Sequence, residues 1–171
     1  MKRLCFFLLL SAFACKEVSF KEPQPKDVRS LSQVPSKLYG NYLFTDDKGN
    51  PDTIVISKKG FYAKGDPKDL YAISDTLVMK SYRDHYFISK NEDPEWLLRV
   101  IRQEKNGDIS YMSMEYGDDF NGFLQRLTLD VRVDSSEVKG KKLYQIDPSP
   151  KELMDLMNKG YFKHVLLKKV K

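Results

Sequence analysis

Apolar and polar residues alternate with a period of two along most of this chain. Leu38, Gly40, Tyr42 and Phe44 interleave with Tyr39, Asn41, Leu43 and Thr45, a strand pattern closed by Asp46-Asp47-Lys48-Gly49-Asn50-Pro51. Thr53 to Ile56 is β-branched throughout, and Ser57-Lys58-Lys59-Gly60 turns it into Phe61-Tyr62-Ala63. Past the break at Asp66-Pro67, short strands are expected over 70–73, 76–82 and 85–89, with Arg83-Asp84 as a turn and a second break at Glu92-Asp93-Pro94. Residues 96–103 suit a helix or a strand, but Asn106-Gly107 followed by alternating Ile109 to Met114 favours a hairpin. Leu127, Leu129, Val131 and Val133 alternate with Thr128, Asp130, Arg132 and Asp134, a pattern expected of a half-buried strand. Leu143 to Ile146 adds another.

One helix stands out against this background. Ser149 suits an N-cap, Pro150 the first helical position, and Glu152 completes a capping box. Leu153, Leu156 and Met157 then share a face, and Gly160 ends the helix. Tyr161 to Val170 follows as a final strand, with Phe162, His164, Leu166 and Val170 on one side. The expected fold is therefore mainly β: an antiparallel barrel or sandwich with one short C-terminal helix and a last strand.

The first residues break the pattern. Lys2 and Arg3 precede an uninterrupted apolar and small run, Leu4 to Ala14, of 11 residues. A bilayer span takes about 20 residues, so this run reads as a secretory signal peptide over 1–14. Ala12-Phe13-Ala14 fits ordinary signal cleavage. Ser11-Ala12-Phe13-Ala14-Cys15 also resembles the lipobox of bacterial lipoproteins in its relaxed, Bacteroidota form, with Ala12 where Leu is usual. That resemblance implies that Cys15 is diacylated and becomes the mature N-terminus.

Cysteine usage favours the second reading. The chain has two cysteines, Cys5 inside the leader and Cys15 at the cut, so the body can form no disulfide. A thiol consumed by a lipid explains a solitary cysteine at the mature N-terminus; plain secretion leaves it unexplained. Lys16 in place of Asp after the cysteine implies, for this family, the outer membrane, facing the periplasm or the cell surface. Residues 15–36, with Pro23, Pro25 and Pro35 and no sustained period, read as a flexible tether. A single β-rich domain is then expected over 37–171.

Gly40-Asn41-Tyr42, a strand meander, and a helix followed by one strand are similar to the lipocalin plan, with Tyr42 where that family has Trp. The resemblance implies a barrel able to hold a small apolar ligand. The stretch from Pro148-Ser149-Pro150 to Phe162 also resembles uncharacterised small Bacteroidota lipoproteins.

Composition adds little to this picture. Loss of Lys2 and Arg3 leaves 27 basic against 24 acidic residues, taking the net charge from +5 to +3. Lysines cluster at Lys139, Lys141 and Lys142 and at Lys163, Lys168, Lys169 and Lys171, where they could meet anionic lipid or an acidic partner, or simply protect sheet edges. Nucleic acid is disfavoured, since no aromatic-basic reading motif is evident.

Catalytic chemistry finds little footing. His85 and His164 lack metal-binding partners at motif spacing, and no phosphate loop or dinucleotide fingerprint implies a cofactor. No Gly-x-Ser-x-Gly elbow places a serine. Loop acids, Asp118 with Asp119 or Asp93 with Glu95, could serve an envelope hydrolase, which needs two carboxylates at fixed separation. Tyr42, Phe44, Tyr62, Trp96 and Tyr111 are the candidate ligand or interaction surface. The two readings that stand are a membrane-anchored binding module, for a small apolar ligand or an envelope protein, and a carboxylate-dependent hydrolase.

Overall fold

The computed structural model describes residues 18–45, 50–114, 116, 119–138 and 140–170. Cys15 and the leader lie outside these residues. Twelve strands form one mixed sheet: β1 Val18–Phe20, β2 Gly40–Thr45, β3 Pro51–Ile56, β4 Gly60–Ala63, β5 Asp66–Ala72, β6 Leu77–Tyr82, β7 His85–Glu92, β8 Glu95–Gln103, β9 Ile109–Ser113, β10 Val133–Val138, β11 Lys141–Ile146 and β12 Lys163–Val170. Two α-helices accompany it, α1 Phe120–Asp130 and α2 Pro150–Asn158.

Nine strands run antiparallel in the order β6-β7-β8-β9-β12-β2-β3-β4-β5. One face of this run is lined by Tyr42, Phe44, Ile54, Ile56, Phe61, Leu77, Met79, Ile88, Ile101, Ile109, Tyr111 and Leu167, a single buried cluster. The other face of β7, β8 and β9 carries Phe87, Leu98, Val100 and Met112, which pack with α1 and α2 in a second core. Strands covered on both sides lose their alternation of exposure, and β9 is buried at all five positions. The hairpin expected at Asn106-Gly107 is present: Gly107 has φ +91°, the Asn106 side-chain amide donates to the Asp108 carboxylate, and the Asp108 backbone N–H donates to Asn106 Oδ1.

The sheet is not closed, so the barrel expectation is corrected. Among the described residues, strands β5 and β6 end the run without pairing with each other, and the N-terminal segment bonds to β6 and to the β3–β4 turn. Leu31 N–H donates to Met79 O at 2.7 Å, Ser30 bridges Lys80, and Val34 N–H donates to Lys58 O at 3.1 Å. Val34 and Leu38 are fully buried in the cluster beneath that sheet face.

The same contacts correct the tether. From Val18 onward the segment read as flexible belongs to the body. Val18, Ser19 and Phe20 are at most 1% exposed, and β1 lies parallel to β11, with Phe20 opposite Trp96 of β8. The prolines obscured this because their segment is held through carbonyls. Buried Lys80 donates to Pro23 O at 2.7 Å and Pro25 O at 2.9 Å, and Gln24 N–H donates to Ser89 Oγ. Burial holds the Lys80 ammonium below its usual pKa, with Glu22 and Asp27 opposing that shift.

The chain also has a helix where a strand was expected. Residues 127–133 do alternate, yet α1 covers Phe120–Asp130 and β10 starts only at Val133. Phe120, Phe123 and Leu127 recur at helical spacing and are buried, whereas Leu129 is 85% exposed. Asp119 starts the helix by accepting from Gly122 N–H at 2.9 Å. Helix α2 follows expectation, with both hydrogen bonds of the Ser149–Glu152 capping box formed and Gly160 at φ +81°.

Candidate interaction surface

The five aromatic candidates do not form one surface. Tyr42, Phe44 and Tyr111 are 0, 6 and 3% exposed and belong to the core between β2–β5 and β6–β9. The Tyr42 hydroxyl donates to Leu38 O at 3.0 Å, and its pKa is raised, first by burial and then by Asp108. Trp96 is half-buried against the helical core, opposite both Phe20 and Asn91. Tyr62 alone stands half-exposed on the outside of the β2–β5 sheet, beside Val55. Alternation had marked the aromatics as strand residues without saying which face each would take.

The loop acids are structural where they can be described. Asp119 is the N-cap of α1, and Asp118 lies outside the described residues. Asp93 lies in the β7–β8 turn, its N–H donating to the Asn91 side chain, while Glu95 sits opposite Glu92 in the ladder. A recess of about 230 Å³ is lined by Lys21, Val131, Arg132, Asp134, Asp147 and Glu152. Each of its acids is engaged: Asp134 with Lys21 and Arg132, Asp147 with Lys26 at 3.1 Å, Glu152 in the helix cap. Hydrogen bonds from Lys21 and then Arg132 hold Asp134 below the usual carboxylate range, and Ser149 does the same for Glu152. A general acid needs the opposite shift.

The two histidines, 79 positions apart in sequence, come to the same face of the sheet. His85, Arg102 and Ser110 share the side of Phe87, Val100 and Met112, and His164 stands opposite Met112 on β12. Ser110 Oγ lies 3.4 Å from His164 Nδ1. The carboxylate of Asp84, however, lies 2.7 Å from His85 Nδ1. The serine and the orienting acid thus serve different histidines, which divides the parts a nucleophilic triad requires. Burial lowers the His85 pKa, with Asp84 partly opposing.

What the fold leaves exposed is aliphatic. On β12, Leu167 points into the core, so His164, Leu166, Lys168 and Val170 share the outer face. Lys168 pairs with Leu43 and Val170 with Asn41; Asn41 pairs with Val55, and Val55 with Tyr62. Leu43, Leu166 and Val170 are 39, 50 and 41% exposed, and Val55 and Tyr62 are half-buried. These residues lie on one outer face across four strands, linked through Asn41, with Lys168 between Leu166 and Val170 on its β12 side. Sequence reasoning named Tyr62 but missed its neighbours as a surface; β12 buries only Leu167, so its alternation does not tell which side faces the core.

Comparison of the chain with protein-family models, with curated proteins and with solved structures finds no match.

Proposed function

We propose that this protein is a lipid-anchored binding module of the bacterial cell envelope, held at the outer membrane through acylated Cys15, and that its partner is an envelope protein. The observation that carries the choice of partner is the contrast between inside and outside. The interior that a lipocalin-like carrier would keep open is filled by Leu38, Tyr42, Ile54, Phe61 and Met79, each at most 1% exposed. On the outer face, Leu43, Leu166 and Val170 are meanwhile left to solvent, with Val55 and Tyr62 half-buried beside them. An exposed aliphatic and tyrosine surface around a lysine suits a protein face with an apolar centre and a carboxylate facing Lys168.

A small apolar ligand and loop-acid hydrolysis have less support, because the core is packed and Asp119 is committed to a helix cap. The test places a photo-crosslinking residue at Leu166, at Tyr62 and, as a control, at Asp75 in the full chain within its native envelope. A discrete protein adduct at Leu166 and Tyr62 but not Asp75, reduced by Lys168→Glu, is the expected result. Adducts to lipid alone, or equal adducts at all three positions, would reject this partner.

A further inference from the structure

We propose that the β10–β11 hairpin, with Lys142 and the half-buried ring of Tyr144 beside it, is the face on which the body rests against an anionic bilayer. The inference builds on the acylation of Cys15 and adds an orientation to it. Only two residues, Lys16 and Glu17, separate Cys15 from Val18, where the packed body begins. Three residue steps reach at most about 10 Å. The headgroup layer of one leaflet is itself about 5–8 Å deep, and screening in physiological salt extends about 8 Å. An acylated Cys15 therefore holds the body against the membrane instead of letting it range from it.

The register then says which part of the body is held there. Val18 pairs with Tyr144 of β11, one strand away at roughly 5 Å. From Tyr144, the strand runs three residues back to Lys141, again about 10 Å, so the anchor's reach and the hairpin's projection match. Ser135, Ser136 and Glu137 of β10 and Lys142 of β11 are exposed. From Glu137 to Lys142 the sequence carries three lysines against one glutamate, the sign that an anionic surface attracts.

Tyr144 has the character of an interfacial aromatic, backed by Phe120 and Tyr116, whose hydroxyl is buried. Tyr144 lies 5.1 Å from Phe120, edge-on, and Tyr116 lies 4.3 Å from Phe120. Lys142 Nζ stands over the Tyr144 ring, 5.4 Å from its centre, a cation–π contact on an exposed lysine. Tyrosine and lysine at headgroup depth, each with an apolar stem and a polar tip, are the side chains such a boundary accommodates.

The chain from Cys15 onward retains every described residue. Coupled through Cys15 to a maleimide-bearing lipid, it can be displayed on phosphatidylcholine vesicles with or without phosphatidylglycerol. Coupling by chemistry separates this orientation from whether cells acylate Cys15, which an intact mass settles independently. Hydrogen exchange at Ser136, Glu137 and Lys142 is expected to slow roughly fivefold or more on the anionic vesicles relative to the uncoupled chain. Lys141→Glu with Lys142→Glu should remove that protection while leaving exchange in β8 unchanged. Exchange identical on vesicles and in solution overturns the proposal, as does protection that survives the double substitution. Protection that rises with protein density on the vesicle would assign the face to a second copy and also overturn it.

Discussion

Phe20→Ala probes whether the N-terminal stretch is structure or spacer. Phe20 lies two residues into β1, its backbone between Ile146 on one side and Trp96 on the other. Its ring is 1% exposed in the core it shares with Phe87, Leu98 and Ile146. Removing a fully buried phenylalanine costs about 3–5 kcal/mol, the lost transfer energy plus the cavity left behind. For a chain of this size 1 kcal/mol moves Tm by about 2–4 °C, so the expected loss is roughly 6–20 °C. The neighbouring Lys21→Ala is the control: its ion pair with Asp134 is nearly half exposed, and solvent screening leaves such a pair little weight in stability. The only tryptophan of the chain, Trp96, faces Phe20 and gives the optical signal for thermal or urea unfolding. A Phe20→Ala shift no larger than that of Lys21→Ala would mean that 18–20 is a spacer and that β1 does not form.

Three further outcomes follow from particular contacts. Asp119→Ala should cost about 1 kcal/mol, while Asp119→Asn should be near neutral because asparagine caps equally well; equal losses in urea melts would contradict the capping role. Gly60→Ala should destabilise strongly, because φ is +157° and a Cβ there would sit 1.9 Å from Tyr71 O; an unchanged urea midpoint would contradict that close approach. Burial lowers the His85 pKa below its ordinary 6.5, so the unfolded chain takes up the proton first and stability falls as pH drops below about 6.5. His85→Gln should therefore flatten the change in unfolding free energy between pH 7.5 and 5.5, and an identical slope would refute it.

The fold was legible where one face of an element is buried and the other wet, or where turn chemistry is explicit. Asn106-Gly107, the Ser149–Glu152 box and the run from Gly40 to Phe44 each carry their own signal. Two kinds of element escaped. Val18 to Phe20 are buried as a run of only three residues and Val34 lies far along, in a stretch whose backbone is satisfied by Lys80 and by distant strands, so no local period reports them. Helix α1 was hidden because Leu127 and Leu129 alternate while only Leu127 is buried, and its better markers, Phe120 and Phe123, lie upstream. For the surface, Tyr62 was legible as an aromatic in a strand, but its role depends on Leu43, Leu166 and Val170, brought beside it by pairing between β12 and β2. That contact joins residues over 120 positions apart.

The anchor proposed at Cys15 underlies both the proposed function and the orientation at the membrane, and the intact mass of the protein extracted from the envelope of its native cells tests it most directly. The account predicts a chain beginning at Cys15, lacking residues 1–14 and carrying the added mass of a diacylglyceryl group, with that species lost in Cys15→Ala. A chain cut at the same bond with a free thiol, or one still bearing Met1 to Ala14 on unmodified Cys15, would contradict it.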